Sequence, residues 1–323
     1  MDRNYLVLSG GVGGAKLIRG LQQVVEEKHI KVIANTGDDF QYLGLHISPD
    51  IDTLMYTLAG ISNPKTGWGL INESWSFHAA LKELSDNIWF QIGDRDLETH
   101  IRRTELLDKG LSLSDTTRKI YQRLGIKTQI IPMSDEKVRT ELETDQGNLA
   151  FQDYFVRLKA EPIVKQIRYK GASKANVSRE LLAAFDETRL SGIIISPSNP
   201  WLSIEPILSV SSLKTMIVNS GLPVIAISPI VGGRAIKGPT AKLMKELGLE
   251  VSAKGIAEHY KGLIDALIID SSDAQHADDI NRIGIQTAVT QTIMYNDADK
   301  AALAEFVITF LDSLDKKKDN NYE

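Results

Sequence analysis

Short apolar runs alternate with amphipathic stretches along most of the chain. Seven of these runs are short and rich in apolar and β-branched residues, and we predict them as strands. Continuous apolar runs are typical of parallel strands that are covered on both faces. The predicted strands occupy residues 5–8, 31–34, 88–91, 127–132, 192–196, 224–227 and 266–269.

Apolar residues recur at helical spacing between most of these strands. Strands that alternate with helices predict an α/β fold, here a Rossmann-like, mostly parallel sheet with helices on both faces. The predicted helices occupy residues 14–28, 50–59, 74–84, 97–109, 114–124, 178–188, 203–209, 211–220, 240–247 and 253–260.

Two regions depart from this alternation. Residues 127–158 are predicted as a small antiparallel β element with a hairpin turn at 145–147. Residues 57–125 are predicted as a largely helical cap inserted over the sheet edge. Because no Pro/Gly/Ser-rich linker is visible, we expect a single α/β unit over residues 1–323, with a core at 1–56 and 126–310 and a frayed, charged tail at 315–323.

Composition narrows the functional classes. The net charge of −5 argues against a general nucleic-acid binder, which usually carries a basic excess. No apolar run reaches the roughly 18 residues of a membrane span, and no secretory signal pattern precedes the first strand. The chain has no cysteine, which excludes disulfides, thiolate catalysis and cysteine-based metal sites. We therefore expect a cytoplasmic protein.

A glycine cluster follows the first predicted strand and precedes a helix. It comprises Gly10, Gly11, Gly13 and Gly14, with Lys16 two residues later. Glycine lets backbone N–H groups approach a ligand closely, and a helix N-terminus favours an anion, so the cluster indicates a phosphate-bearing substrate. It matches neither the P-loop nor, closely, the dinucleotide fingerprint. The alternative is a tight strand–helix turn without a ligand.

Acidic residues follow the second strand and begin the next helix. Asp38 and Asp39 come shortly after the strand, and Asp50 and Asp52 lie in the first turn of the helix. Carboxylates at the C-terminal ends of parallel strands lie where such folds bind ligands, and hard oxygen ligands beside phosphate suit Mg²⁺. The alternative is that these residues are helix caps and turn formers.

Three further loops carry candidate binding residues, each with a purely structural alternative as a turn, cap or salt bridge. Arg95 beside Asp94 could contact a phosphate. The loop after the strand at 192–196 offers uncharged polar groups suited to a base or sugar, and the loop after the strand at 224–227 combines glycines with cations suited to a diphosphate. Their candidate residues are Ser196, Ser198, Asn199 and Pro200 in the former and Gly232, Gly233, Arg234 and Lys237 in the latter.

Six segments, taken in order, resemble the CofD family, the 2-phospho-L-lactate transferases of coenzyme F420 biosynthesis. They lie at residues 9–17, 35–39, 48–57, 93–96, 196–200 and 228–238, and the resemblance runs from about residue 5 to residue 300. A related group of CofD-like proteins acts in cell-envelope regulation. The segments at 67–69 and 93–96 look more like the transferase branch.

The resemblance implies a Rossmann-like core with a helical insert, Mg²⁺ as cofactor and a homodimer. The implied acceptor is Fo, 7,8-didemethyl-8-hydroxy-5-deazariboflavin. The implied donor is a guanosine diphosphate ester carrying a lactyl, enolpyruvyl or glyceryl group. The ribityl hydroxyl of Fo would attack the phosphorus distal to guanosine, and GMP would leave.

The resemblance also implies roles for particular residues. Asp50 would orient the attacking hydroxyl, and Asp38 and Asp39 would hold Mg²⁺ with it. The glycine cluster would meet the nucleotide phosphates, Asn199 would lie near guanosine, and Arg234 and Lys237 would neutralise the donor. The alternatives are a nucleotide- or sugar-binding regulator without turnover and an NAD-dependent oxidoreductase, against which the missing acidic ribose ligand speaks.

Overall fold

The computed structural model describes residues 3–187 and 189–319. Over these residues the chain forms β-strands in four sheets. In chain order they are β1 (Asn4–Ser9), β2 (Ile30–Ala34), β3 (Phe40–Tyr42), β4 (Leu45–Ile47), β5 (Gln129–Pro132), β6 (Arg139–Thr144), β7 (Gly147–Ala150), β8 (Val164–Lys170), β9 (Leu190–Ile195), β10 (Val224–Ile227), β11 (Ile230–Val231), β12 (Arg234–Ala235), β13 (Ala266–Asp270) and β14 (Gln286–Thr290).

Helices connect most of these strands, together with a few short 3₁₀ and π-helical turns. The α-helices are α1 (Gly11–Val24), α2 (Pro49–Leu58), α3 (Ser76–Leu84), α4 (Asp96–Asp108), α5 (Leu113–Arg123), α6 (Arg179–Phe185), α7 (Glu205–Leu208), α8 (Leu213–Asn219), α9 (Thr240–Glu246), α10 (Ala253–His259), α11 (Ala277–Arg282) and α12 (Asp297–Asp319).

The main sheet is parallel throughout, and its strand order is β14-β13-β10-β9-β1-β2-β5. From β1 the chain first builds outward through β2 and β5, and then returns to add β9, β10, β13 and β14 on the other side. This order is that of a doubly wound fold, with its switch point between β1 and β9. The predicted fold class is confirmed.

The sheet is buried on both faces, which explains the continuous apolar runs. In β1, Leu6 and Leu8 belong to the core on one face, while Tyr5 and Val7 belong to the core on the other. The first core is completed by α6, α8, α9 and α10, and the second by α1, α2 and α12. Successive side chains in a strand point to opposite faces, so only an unbroken apolar strand can serve both cores.

Helix α12 packs closely along α1 at a glycine. A Cβ added to Gly20 would lie 2.1 Å from the carbonyl oxygen of Lys300. Because any side chain would force the helices apart, Gly20 sets their separation. This contact brings the segment around Lys300 back to the helix that begins at the glycine cluster.

Two smaller parts are attached to this core. The segment from 57 to 125 contains α3, α4 and α5 joined by long irregular stretches. Strands β7, β6 and β8 form an antiparallel sheet, and a short π-helical turn at Asp153–Arg157 follows β7. Leu142 and Tyr154 are fully buried in this smaller core.

Several predicted elements were wrong. Residues 88–91 form no strand, and the run at 127–132 contributes β5 to the parallel sheet instead of pairing with an antiparallel neighbour. The run beginning at Leu149 leaves the strand after Ala150, and the third antiparallel strand is β8, which was not predicted. Strand β14 and helices α11 and α12 were also missed.

The start of α1 and the C-terminal segment also differ from the prediction. Helix α1 begins at Gly11, three residues earlier than predicted, so most of the glycine cluster is helical. Backbone residues 315–319 continue α12, and the rest of the predicted frayed tail, 320–323, lies outside the described residues. Within the described part of the chain, no helix has the length and apolar character needed to cross a membrane.

Candidate active site

The glycine cluster and the polar loop after β9 meet at the switch point of the sheet. Strands β1 and β9 are neighbours, so the loops at their C-terminal ends lie side by side. The Ser198 hydroxyl donates to the Gly10 carbonyl at 2.6 Å and is hydrogen-bonded to Ser196 Oγ at 2.8 Å. A crevice at this place is where doubly wound folds bind ligands.

The glycines allow this close packing. Gly11 has a φ of +65°, a conformation that favours glycine. A Cβ on Gly13 would lie 2.4 Å from the Pro197 carbonyl oxygen, and one on Gly14 would lie 2.0 Å from Ser9 Oγ. The glycines therefore serve the contact between two loops, while Gly11 and Gly13, at the start of α1, are only partly buried. This leaves the N-terminus of α1 accessible to an anion.

Asp50 lies against the glycine turn. It is 7% exposed, and its two carboxylate oxygens accept hydrogen bonds from Gly11 N at 2.7 Å and from Asn35 Nδ2 at 2.8 Å. Burial raises the pKa of Asp50 to about 6; the two hydrogen bonds oppose this rise, and the charge of Asp39 adds to it. A carboxylate with a pKa near neutrality can accept a proton at physiological pH.

Asp38 and Asp39 form the other side of this acidic group. Asp39 Oδ2 accepts hydrogen bonds from Ser48 Oγ at 2.8 Å and pairs with His46 Nε2 at 3.1 Å. Burial, followed by the charge of Asp50, raises the pKa of Asp38 well above its usual range. The structure thus brings three of the four predicted acidic residues, Asp38, Asp39 and Asp50, to one edge of the sheet, where their charges interact.

These carboxylates fit a hydrated divalent cation better than a protein-only cage. Among the described residues, no group of three or more Asp, Glu, His or Cys side chains converges closely enough to hold a metal by itself. However, Asp38 Oδ1 and Asp39 Oδ1 are buried and have no hydrogen-bond partner within the described part of the chain. Mg²⁺ usually takes one or two carboxylates and completes its shell with water and substrate phosphate. These two oxygens are suitable ligands of that kind.

The loop after β9 is held by Asn199. Its Oδ1 accepts from Trp201 N at 3.0 Å and Leu202 N at 3.1 Å, so it caps the turn that begins at Pro200. Its Nδ2 is buried and lacks a hydrogen-bond partner among the described residues. The predicted cap is therefore present, and the amide group retains a donor for a ligand.

Cations from two elements meet beside the N-terminus of α1. Lys16 Nζ donates to the Met294 carbonyl at 2.8 Å, and burial together with the charges of Lys237 and Lys300 lowers the pKa of Lys16. Lys237 Nζ donates to the Thr66 carbonyl at 3.1 Å. The charge of Lys237 from the second glycine loop therefore acts on Lys16 of the glycine cluster.

The second glycine loop is a tight hairpin. Gly232 and Gly233 have φ values of +56° and +70° and connect β11 to β12, a geometry typical of a type I′ turn. Gly232 N donates to the buried Asp273 Oδ2 at 2.8 Å, and the Arg234 side chain is exposed. The turn itself is therefore held by Asp273, and the exposed cation Arg234 follows it at the start of β12.

Asp52 faces away from Asp50, into the interior. It pairs with the guanidinium of Arg103, a residue with no exposed surface. His100 and Asp96 extend this buried network, and Tyr56 OH donates to Asp96 at 2.5 Å. The structure thus gives Asp52 a partner within the protein instead of an open side toward the ligand crevice.

Asp94 and Arg95 take part in a reciprocal capping arrangement between α3 and α4. Asp94 accepts from Ser76 N at 3.0 Å and Phe77 N at 2.9 Å, at the start of α3. Glu73 in turn accepts from Arg95 N at 2.7 Å. Among the described residues, no hydrogen bond or ion pair joins Asp94 or Arg95 to Asp38, Asp39 or Asp50, and the Arg95 side chain is exposed.

Four aromatic rings, two from strand β3 and two from the insert, form a cluster that includes the residue directly after Asp39. Phe40 directly follows Asp39, and its ring lies 6.0 Å from Trp89 and 4.9 Å from Phe90, between centroids. Tyr42 packs against the same two rings. Sequence reasoning missed this cluster and the supporting residues His46, Ser48 and Arg103, although the aromatic pair at 89–90 was a usable signal.

Comparisons with known proteins agree on one family. The profile described as 2-phospho-L-lactate transferase CofD matches residues 6–304. The chain is 36% identical to 2-phospho-L-lactate transferase of Methanosarcina mazei, over 94% of this chain and 99% of that protein. It is 38% identical to the enzyme of the same name from Methanocaldococcus jannaschii (95% and 98%), and 36% identical to phosphoenolpyruvate transferase of Streptomyces coelicolor (96% and 98%).

Among solved structures, the chain resembles a UPF0052-family protein from Bacillus halodurans. The TM-score is 0.61 at 15% identity, and the match covers 95% of this chain and 98% of that one. At this identity the likeness shows the fold alone.

Proposed function

The chain belongs to the CofD family, and we propose that it is a transferase of coenzyme F420 biosynthesis. In this proposal it moves a phospho-hydroxyacid group from a guanosine diphosphate ester to Fo and releases GMP. The observation that carries the proposal is Asp50, a buried carboxylate with a pKa near 6, held against the glycine turn by Gly11 N and Asn35 Nδ2. The reactants named here are those that the resemblance to the CofD family implies.

The reaction is a phosphoryl-group transfer without a covalent enzyme intermediate. The terminal ribityl oxygen of Fo forms a bond to the phosphorus distal to guanosine, and the bond from that phosphorus to the bridging oxygen breaks. The bridging oxygen leaves with GMP, and Asp50 accepts the proton of the attacking hydroxyl. Such transfers depend mainly on positioning and charge neutralisation.

The two unpartnered oxygens, Asp38 Oδ1 and Asp39 Oδ1, would hold Mg²⁺. When bound there, the ion would offset negative charge on the diphosphate oxygens. His46 and Ser48 occupy Oδ2 of Asp39, which leaves Oδ1 as the oxygen without a partner among the described residues. Asp38 is kept from ionising easily by burial and by Asp50, and a bound cation would reverse that preference.

The other ligand parts have candidate sites around the same edge. The N-terminus of α1, with Lys16 and Lys237, is suited to the diphosphate. The buried amide donor of Asn199 is suited to the guanosine. The aromatic cluster that follows Asp39, with Phe40 in contact with Trp89, offers stacking surfaces for a planar deazaflavin ring.

The three-carbon group of the donor stays open. Relatives named for phospholactate and for phosphoenolpyruvate transfer are similarly close, at 38% and 36% identity. The lactyl, enolpyruvyl and glyceryl groups are all small carboxylates that differ by few atoms. A few side chains therefore decide which donor the enzyme prefers. Turnover with the three donors side by side, at equal concentration, identifies the substrate.

The decisive assay is GMP release from each ester in the presence of Fo and Mg²⁺, followed by chromatography. We expect wild-type release and a loss of about 10²-fold or more in Asp50→Asn, since general base catalysis contributes typically 10²–10⁴-fold. Asp108→Asn, at an exposed position in α4, is the matched control and should retain activity. Binding of Fo, seen by its fluorescence, without release of GMP from any donor would favour a ligand-binding regulator instead.

A further inference from the structure

Two consecutive residues of helix α4 in the insert, Arg103 and Thr104, form hydrogen bonds to the segment that supports the acidic residues. We propose that these are positioning residues, which hold Asp39 and Asp50 in their reactive arrangement through His46 and Asp52. The inference rests on the proposed function for its catalytic readout. Its structural readout, described below, does not depend on that function.

The first connection runs through His46. Both main-chain groups of His46 are bound by α4: its N–H donates to Thr104 Oγ1 at 2.8 Å, and its carbonyl accepts from Arg103 Nη1 at 3.4 Å. The imidazole of the same residue pairs with Asp39 Oδ2 at 3.1 Å. A shift of α4 would therefore be transmitted directly to the Asp39 carboxylate.

The second connection runs through the first turn of α2. The guanidinium of Arg103 contacts both carboxylate oxygens of Asp52, and Asp52 N donates to the Ser48 carbonyl at 2.9 Å. Ser48 Oγ then donates to Asp39 Oδ2 at 2.8 Å, and Asp50 lies between Ser48 and Asp52 in the same turn. Both connections thus end on the acidic group.

The burial of the Arg103–Asp52 ion pair argues against a role in stability alone. Arg103 has no exposed surface and Asp52 is 5% exposed. Removing two charges from water offsets much of their attraction, and apolar residues of similar volume often pack as stably as a buried ion pair. What a guanidinium adds is directional contact with several acceptors at once, which fixes the register of the helix against its neighbours.

The network also explains why α4 lies in one orientation. His100 Nδ1 lies 3.3 Å from Arg103 Nη1, and its Nε2 lies 3.2 Å from Asp96 Oδ2. The Thr104 hydroxyl donates to the His100 carbonyl at 2.8 Å, which leaves its oxygen lone pair directed at His46 N. The helix therefore presents Arg103 and Thr104 together to the loop that carries His46.

Two matched pairs of variants test the catalytic part. Thr104→Val removes the acceptor for His46 N without changing side-chain volume, and Thr104→Ser keeps it. Arg103→Lys keeps the charge but cannot reach Asp52 and His46 together, while Arg102→Lys changes the exposed neighbour that pairs with Glu105. Substituting a supporting residue behind a metal ligand typically costs 10–100-fold, so we expect kcat for GMP release to fall about tenfold or more in Thr104→Val and Arg103→Lys. The KM for Fo should stay within about threefold of wild type, because neither residue touches the ligand.

Amide hydrogen exchange of the ligand-free protein gives the independent readout. The Gly11 amide is bonded to Asp50 Oδ1, so its exchange rate reports whether Asp50 has moved. We expect faster exchange in residues 9–14 as well as 39–50 for Thr104→Val and Arg103→Lys, but not for Thr104→Ser and Arg102→Lys. Residues 9–14 belong to a different element, so a disturbance confined to α4 would leave them unchanged.

Wild-type kcat together with wild-type exchange at residues 9–14 in Thr104→Val would overturn the proposal. The proposal would also be overturned if Thr104→Val and Arg103→Lys both had a lower melting temperature but a wild-type kcat, with kcat measured well below the melting temperature. Should the wild-type protein release no GMP at all, the proposed function fails; the exchange data then still decide whether α4 positions Asp50.

Discussion

Replacing Asp50 with Asn should stabilise the protein at neutral and alkaline pH while it lowers GMP release about 10²-fold or more. Asp50 is 7% exposed, and burial raises its pKa from the ordinary value of 3.8 to about 6. Because the folded-state pKa lies above the unfolded one, the folded protein holds the proton more tightly. The stability contribution is fully present below the unfolded value of 3.8 and is lost as the pH rises through about 6. Above that pH, a buried carboxylate is ionised at a cost.

The size of the effect follows from the shift. One pKa unit corresponds to about 1.4 kcal/mol, so the full penalty at pH 8 is about 3 kcal/mol. An Asn at this position can still accept from Gly11 N, but its amino group would face that of Asn35, which loses about 1 kcal/mol of hydrogen bonding. The net expectation is stabilisation by about 2 kcal/mol at pH 8.

The penalty is only partly developed at pH 5. We therefore expect the stability difference between Asp50→Asn and wild type to be about 1 kcal/mol larger at pH 8 than at pH 5. Removing the charge of Asp50 also makes ionisation of Asp38 less costly, because that charge raises the pKa of Asp38. This effect adds to the stabilisation of the variant at high pH. Urea unfolding at both pH values, followed by the fluorescence of the four tryptophans, measures the difference.

Asp108→Asn is again the control, since it removes an exposed carboxylate of the same type. A stability difference for Asp50→Asn that is equal at pH 5 and pH 8 would refute a raised pKa. A variant that is less stable than wild type at pH 8 would show that the hydrogen bonds of Asp50 outweigh its desolvation. Retained GMP release in this variant would remove Asp50 from the proposed mechanism.

Three further predictions concern the surroundings of the site. Gly13→Ala places a Cβ 2.4 Å from the Pro197 carbonyl oxygen, so we expect a loss of about 1–3 kcal/mol in urea unfolding and weaker nucleotide binding. Lys237→Met removes a cation beside the N-terminus of α1 and should weaken GDP binding about tenfold by calorimetry, with a smaller difference at high salt. Glu73→Ala removes the acceptor of two amides at the start of α4 and should cost about 1 kcal/mol of stability.

Each of these predictions has its own control or contrary result. Unchanged unfolding in Gly13→Ala would mean that the loop at Pro197 can yield. Lys214→Met, at an exposed position in α8, should bind GDP as wild type does; an equal loss there would indicate a general charge effect. If Glu73→Ala had the same melting temperature as wild type, the turn before α4 would need no cap.

The sequence was most informative where one local pattern has one structural solution. The apolar runs of β1, β2, β9, β10 and β13 predict a parallel sheet, because strands buried on both faces need apolar residues at successive positions. It was least informative for elements whose pattern is ambiguous. The apolar, aromatic run at 88–91 satisfies the criteria for a strand, yet its rings pack against the β3–β4 hairpin instead of entering a sheet.

The candidate site shows the same division. Residues directly after predicted strands, such as Asp38, Asn199 and the glycine cluster, could be found because parallel strands bring their C-terminal ends to one edge. Arg103 and His46 could not, since the former lies in a charged helix and the latter in a short hairpin. Neither local pattern shows whether the side chain is buried or lies on a solvated surface, because burial depends on which parts of the chain pack against it.

Periodicity, local backbone preferences and the order of the motifs were thus enough to predict the fold class, the family and the segments that form the ligand edge. Which side of each segment is used depends on the packing of the folded chain. This packing directed Asp50 to the glycine turn and Asp52, two residues later in the same helix, to Arg103. It also gave the glycines their neighbours and left Asp38 Oδ1 and Asp39 Oδ1 without a protein donor in the described part of the chain. The physical reason is that desolvation and hydrogen bonding depend on neighbours distant in sequence.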